Sequence, residues 1–180
     1  MKRRAIFLDR DGVINKASFV NGKHRSPMVP EELELYKDAK SSIRKLRKLG
    51  FLIFIVTNQP EISRGNLSTV DSDAINALIA KAIEPDEIVV CPHDDSDACS
   101  CRKPLPGMIT GLISRYKLEP PRCYLVGDRL KDIEAGQAAG VKSIQIDRGY
   151  PEGLSTARLS SAKSLSGAVR IIRKMERCGF

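Results

Sequence analysis

Tryptophan is absent from this chain, and phenylalanine and tyrosine together make up only 5% of it. Single-stranded nucleic acids are held largely by stacking bases on aromatic faces, so a base-stacking platform is poorly supported. No apolar run approaches the ~20 residues that a membrane-spanning helix needs. Met1-Lys2-Arg3-Arg4 leads directly into a short apolar stretch, not into the longer apolar segment of a signal peptide. There are also no internal repeats and no low-complexity tracts, which argues against a repeat architecture. These absences predict a cytoplasmic protein with no membrane and no nucleic-acid partner; a monomer is expected.

What is present is ordinary in amount and informative in order. The 180 residues are one domain's worth of chain, and 42% hydrophobic and 29% charged content suits a soluble globular protein. The net charge of +8 fits an anionic substrate, nucleic acid or merely a basic surface. Much of it lies in Arg44-Lys45-Leu46-Arg47-Lys48 and between Arg170 and Arg177, where alternation with apolar residues reads as the solvated faces of amphipathic helices.

Apolar runs and helical patterns alternate along the chain. Strands are expected at Arg4–Asp9, Phe51–Thr57, Glu87–Cys91, Cys123–Asp128 and Val141–Asp147. Helices are expected at Glu31–Leu49, Ser68–Ile83, Pro106–Lys117, Leu130–Ala139 and Ser164–Glu176, with Ser68 and Asp71 as a capping pair. Gly149–Ser161 reads as a surface connection. The alternation predicts an α/β fold: a doubly wound three-layer sandwich on a mainly parallel five-stranded sheet, spanning residues 1–180 as one domain without a large cap.

Polar residues stand wherever an apolar strand stops. Asp9 and Asp11 follow the first strand, Thr57 and Asn58 the second, and Asp128 the fourth. Each has a dull explanation as a turn former or helix cap. Ligands of open α/β sheets bind outside the carboxyl ends of strands, however, so these residues can converge although far apart in sequence. Two carboxylates two residues apart at a strand end suggest a magnesium site with a carboxylate nucleophile beside it.

Asp9-x-Asp11-Gly12-Val13, Val56-Thr57-Asn58-Gln59, Arg102-Lys103-Pro104 and Gly127-Asp128-x-x-x-Asp132 resemble the four ordered motifs of the haloacid dehalogenase superfamily of phosphohydrolases. Within it the chain is similar to the small capless group of heptose-bisphosphate and histidinol phosphatases. The resemblance implies that Asp9 attacks phosphorus and that Asp11 protonates the leaving alcohol and then activates water. It also implies that Mg²⁺ is held by Asp9, Asp128 and the backbone carbonyl of Asp11, with Thr57 and Lys103 offsetting phosphate charge. Asp132 is expected to support the loop.

Cys91, His93, Cys99 and Cys101 form a C-x-H-x5-C-x-C set, matching a closed Cys3His zinc site. A structural Zn²⁺ in a loop over residues 91–101 would fix the chain that leads into Arg102 and Lys103. Cys123 is expected in the core and His24 in an ordinary loop. Pro60-Glu61-Ile62-Ser63 stands where the family usually has small residues, although Arg64-Gly65 is retained. The expected substrate is a small sugar phosphate, first the 7-phosphate of D-glycero-D-manno-heptose 1,7-bisphosphate, bound through Asn58, Arg64 and Arg102. Alternatives are histidinol phosphate, nucleic-acid ends and a zinc-stabilised binding protein without catalysis. An amine-bearing substrate would want a carboxylate such as Glu61 or Asp95.

Overall fold

Strand β1 (Ala5–Leu8) is buried on both faces and lies in the middle of the sheet, so its four residues need no polar alternation. A computed structural model describes residues 3–20 and 23–178; Met1 and Lys2 of the basic leader lie outside them. After β1 come a short antiparallel hairpin, β2 (Ser18–Val20) and β3 (Lys23–Arg25), then α1 (Ala39–Lys48), β4 (Leu52–Asn58), α2 (Pro60–Ser63) and α3 (Thr69–Ile83). The second half contains β5 (Glu87–Cys91), α4 (Gly107–Tyr116), β6 (Tyr124–Gly127), α5 (Leu130–Ala138), β7 (Lys142–Ile146), β8 (Ser160–Ala162) and α6 (Leu165–Cys178).

The main sheet runs β5-β4-β1-β6-β7-β8 with every neighbouring pair parallel. Alternate residues of each strand face opposite layers. Ile6, Leu8, Ile53, Ile55 and Val126 pack with Ile43 and Leu46 of α1, Ile75 and Ile79 of α3, and Ile172 of α6. Phe7, Phe54, Val56 and Leu125 face the other way, toward Ile109 and Leu112 of α4 and Ile133 of α5. The helices' basic residues sit on their outer faces: Arg44, Lys45 and Lys48 of α1 and Arg170, Arg173, Lys174 and Arg177 of α6 are exposed. No helix among the described residues is long and apolar enough to cross a membrane.

The sheet has six strands, not five. The additional strand, β8, is Ser160-Ser161-Ala162, which pairs with Ile144, Gln145 and Ile146 at the sheet edge. Backbone pairing alone defines so short and polar a strand, and it carries no apolar signal. The expected helix from Glu31 begins only at Ala39, after a single 3₁₀ turn at Pro30–Glu32. Residues 34–36 are drawn instead into backbone pairing with the segment after β1: Lys16 N donates to Glu34 O and Tyr36 N to Ile14 O. The Ser68 cap forms as expected, with Asp71 N donating to Ser68 Oγ at 3.0 Å. Cys123 is buried just before β6, and the backbone of His24 lies in β3, not in an irregular loop.

Phe54 stacks on Phe7 at 5.7 Å between ring centres and meets Tyr116 at 4.7 Å, in the layer between the sheet and α4. Truncating Phe54→Ala should therefore cost about 3–5 kcal/mol in urea unfolding. A loss below about 1 kcal/mol would show that this layer repacks freely.

Candidate active site

β1, β4 and β6 are adjacent and parallel, and their carboxyl-terminal parts bring Asp9, Thr57 and Asp128 to one cavity. Asp9 N donates to Val126 O at 2.9 Å and so ties the first residue beyond β1 to β6. The cavity is lined by Asp9, Asp11, Thr57, Asn58, Lys103, Asp128 and Asp132, together with Ala17, Ser26, Arg129, Lys131 and Tyr150.

Lys103 organises its floor. Its ammonium donates to Asp9 Oδ1 at 2.7 Å and to Val56 O at 2.9 Å, and lies 2.6 Å from Asp132 Oδ1. Asn58 grips the same residue by its backbone: Lys103 N donates to Asn58 Oδ1 (3.1 Å), and Asn58 Nδ2 donates to Lys103 O (3.0 Å). The Asn58 side chain thus positions Lys103. Burial opposes the lysine's charge, but the Asp132 and Asp9 carboxylates outweigh it and raise its pKa.

Asp11 sits in a cage of donors. Asn15 Nδ2 reaches its Oδ1 at 2.8 Å, while Gln59 Nε2 (2.8 Å), Ser26 Oγ (2.9 Å) and Arg10 Nη2 (3.2 Å) reach Oδ2. Arg10 is fully buried and is itself anchored through Nη1 to Asn76 Oδ1 of α3 at 3.0 Å. Burial pushes the Asp11 carboxyl up, but the Arg10 guanidinium and the bonds from Asn15, Gln59 and Ser26 prevail and lower its pKa. Gln59 Nε2 also donates to Thr57 Oγ1 at 2.8 Å, which leaves the threonine proton free to point into the cavity.

The three remaining carboxylates conflict. Oxygens of Asp9, Asp128 and Asp132 lie within 4.8 Å of one another. Burial, with Asp132 and Asp11 adding to it against Lys103, raises the Asp9 pKa to about 6. Burial and the charges of Asp9 and Asp132 raise Asp128 to about 8. Asp128 Oδ2 accepts from Tyr150 Oη at 2.6 Å, whereas Asp128 Oδ1 is buried without a hydrogen-bond partner. Gly12 (φ +83°) allows this approach, since a Cβ there would lie 1.8 Å from Asp128 Oδ2. A buried carboxylate oxygen left unpaired beside a second carboxylate is what a hard divalent cation requires, so these residues fit magnesium.

The sulfur–nitrogen cluster is assembled at the end of β5 and in the following loop. Sγ of Cys91, Cys99 and Cys101 and Nδ1 of His93 all lie within 4.8 Å of one another. Cys91 and Cys101 sulfurs are 3.1 Å apart, well beyond the ~2.05 Å of a disulfide. Burial would raise the Cys99 thiol, but the Arg102 backbone N–H, 3.3 Å away, and its neighbouring cysteines bring it to about 7. Three thiols and an imidazole converging on one point suit a closed zinc site.

Arg64 and Arg102 do not line the cavity. Arg64 forms a fork on Asp94 (2.6 and 2.8 Å) and also holds Glu61 Oε1 at 2.5 Å. Arg102 donates to Asp95 Oδ1 at 2.5 Å and to His93 O at 3.1 Å. Both pin the cysteine–histidine loop, and Arg64 ties that loop to α2. Besides Lys103, the cations that line the cavity are Arg129 and Lys131, which follow Asp128 closely enough in sequence to have been considered. Gln59 stood in the recognised motif without a role. Ser26 and Tyr150 came from segments with no local signal of function.

A parallel sheet that gathers a half-shielded carboxylate, a lysine, a threonine and a cation site at its strand ends defines a hydrolase of anionic esters. The sequence pattern of haloacid dehalogenase-like hydrolases matches residues 15–140, and the chain belongs to that family. It is 34% identical over 184 aligned positions to D-glycero-alpha-D-manno-heptose-1,7-bisphosphate 7-phosphatase of Photorhabdus laumondii, covering 95% of this chain and 97% of that protein. D-glycero-beta-D-manno-heptose-1,7-bisphosphate 7-phosphatase of Rhodopseudomonas palustris is 33% identical, over 81% of this chain and 84% of the relative. The crystal structure of D,D-heptose 1,7-bisphosphate phosphatase from B. bronchiseptica, complexed with magnesium and phosphate, superposes with a TM-score of 0.82. Its identity is 27%, over 96% of this chain and 98% of that one.

The raised Asp128 pKa has a consequence with a definite sign. The folded, metal-free protein holds a proton there up to about pH 8, whereas the unfolded carboxyl releases it near its ordinary 3.8. Metal-free stability should therefore fall as pH rises between those values, and magnesium should relieve the loss. The rise in Tm on adding magnesium should be larger above pH 8 than below pH 6. Equal rises at both pH values would contradict the cation site.

Proposed function

We propose that this chain is a magnesium-dependent phosphatase that removes the 7-phosphate of a D-glycero-D-manno-heptose 1,7-bisphosphate through an aspartyl-phosphate intermediate. The observation that carries the chemistry is the state of Asp9. One oxygen is held by Lys103 at 2.7 Å, and the acid–base candidate Asp11 opens onto the same cavity. The substrate comes from the names of the relatives, which include enzymes for both anomers.

Asp9, Asp128 and the carbonyl of Asp11 would hold magnesium, which would supply charge neutralisation between the nucleophile and a phosphate dianion. The Asp9 carboxylate forms a bond to phosphorus as the ester P–O bond breaks. Asp11 delivers its proton to the departing sugar oxygen. The approaching dianion opposes the charge on Asp11 and moves its depressed pKa back upward, as like charges do. Thr57 donates its free hydroxyl proton to a phosphoryl oxygen, and Lys103 offsets the charge gathered on phosphorus. In the second step Asp11 takes a proton from water, which attacks phosphorus and releases phosphate and free Asp9.

The cations around the cavity favour a second anionic group over an amine. Arg129 and Lys131 line it, whereas Glu61 and Asp95, the carboxylates available for a histidinol-like amine, are engaged by Arg64 and Arg102. With magnesium, heptose 1,7-bisphosphates of either anomer should release one phosphate faster than histidinol phosphate, and Asp9→Asn protein should release none. Preference for histidinol phosphate would refute the substrate, and turnover by Asp9→Asn would refute the covalent mechanism.

Cys91, His93, Cys99 and Cys101 would hold a structural zinc ion, with all four positions filled by protein. Elemental analysis should find about one zinc per chain that survives mild chelation while magnesium is removed. Active protein free of zinc would exclude the site.

A further inference from the structure

Beyond β7 the chain turns back over the cavity, and three residues of this turn reach the catalytic end of the sheet. Arg148 Nε donates to Gly12 O at 2.8 Å, and its guanidinium lies 4.1 Å from the Tyr36 ring centre. Glu152 accepts from Leu130 N at 3.2 Å and pairs with Arg129 at 2.8 Å. Between them, Tyr150 donates its hydroxyl to Asp128 Oδ2 at 2.6 Å and carries the Arg129 guanidinium 4.4 Å from its ring centre.

We infer that Tyr150 is a positioning residue of the active site: its hydroxyl turns Asp128 Oδ1 toward the divalent cation, and its ring holds Arg129 at the cavity mouth. The inference rests on the cation site proposed above. A carboxylate offers two oxygens, and Tyr150 occupies one of them. Gly12 packs against that same oxygen, where even a Cβ would collide at 1.8 Å, so the carboxylate is held between the Gly12 backbone and the tyrosine hydroxyl. Asp128 Oδ1 is then the oxygen left to a ligand, and it is the one buried without a hydrogen bond. Single-oxygen donation suits a small octahedral ion such as magnesium, whereas calcium accepts two-oxygen carboxylates.

The ring has a separate task. Arg129 follows the metal ligand Asp128 directly and lines the cavity. With the Tyr150 ring beneath it and Glu152 on its edge, its long side chain is held in one place before substrate arrives, which lowers the entropic cost of binding an anionic group. Hydroxyl and ring can therefore be tested apart.

Titration of the full chain with Mn²⁺, followed by the paramagnetic resonance of the free ion, reads the metal site without turnover. Tyr150→Phe should weaken Mn²⁺ binding about 10–100-fold, the range for loss of a group that orients a ligand. Its KM for the bisphosphate at saturating magnesium should stay close to that of the parent. Tyr150→Ala should show the same metal defect together with a several-fold higher KM. Thermal melts of the metal-free proteins establish that both variants are folded. Parental Mn²⁺ affinity in Tyr150→Phe overturns the positioning role, and an unchanged KM in Tyr150→Ala overturns the role of the ring. If the parent protein itself binds no Mn²⁺, it is the cation site that fails.

Discussion

Asp9, Asp128 and Asp132 are nearly buried, clustered carboxylates, of which the Lys103 ammonium pairs with Asp9 and Asp132 and leaves Asp128 to a tyrosine hydroxyl, and much of the molecule is arranged to hold that imbalance. Alone, the fold would relieve it by keeping a proton on Asp128, whose pKa is raised to about 8, whereas Asp9, raised to about 6, is already mostly ionised at neutral pH. A divalent cation beside Asp128 would displace that proton and hold the Asp9 carboxylate ionised for attack. The carboxyl ends of β1 and β6 must lie side by side, with β4 running on past them to carry Thr57 and Asn58, to create the crowding. Gly12 must lack a side chain so that Asp128 can approach, and Gly127 likewise, since a Cβ there would lie 2.2 Å from the Cβ of Asp132.

Lys103 has to be delivered to the cluster from a loop, which explains the machinery around it. Asn58, at the end of β4, clamps its backbone from one side. Cys101 lies two residues before it and belongs to the cysteine–histidine cluster, so a metal there would fix the loop at the point where it enters the site. Arg64 and Arg102 extend the bracing with ion pairs to Asp94 and Asp95. Each such surface pair is worth little energy on its own, being screened by solvent. Together they give the loop one position against α2.

The parts of this arrangement legible in the sequence share a cause: they are dictated by local chemistry at strand ends. Buried parallel strands read as apolar runs, and the polar residues that terminate them stand out, which is why Asp9, Asp11, Thr57 and Asp128 were evident. Cysteine and histidine spacing exposed the second cluster for a similar reason. What was hidden depends on tertiary pairing. Ser160-Ser161-Ala162 is a strand only because β7 offers an open edge, and residues 34–36 leave the expected helix because the segment after β1 takes their backbone groups. Arg64 looked like a free phosphate ligand because the fork it forms with Asp94, 30 residues away, has no local trace. Tyr150 was concealed in the same way, 22 residues from the aspartate it holds.

The claim that the carboxylate cluster is built around a cation is tested most directly by anomalous diffraction from crystals grown with manganese in place of magnesium. The account expects a manganese peak between Asp9 and Asp128, with Asp128 Oδ1 turned to the ion, Tyr150 still on Oδ2 and Lys103 still bridging Asp9 and Asp132. A cluster that stays free of manganese at saturating concentration, with Asp9 and Asp128 hydrogen-bonded to each other through a shared proton, would contradict it.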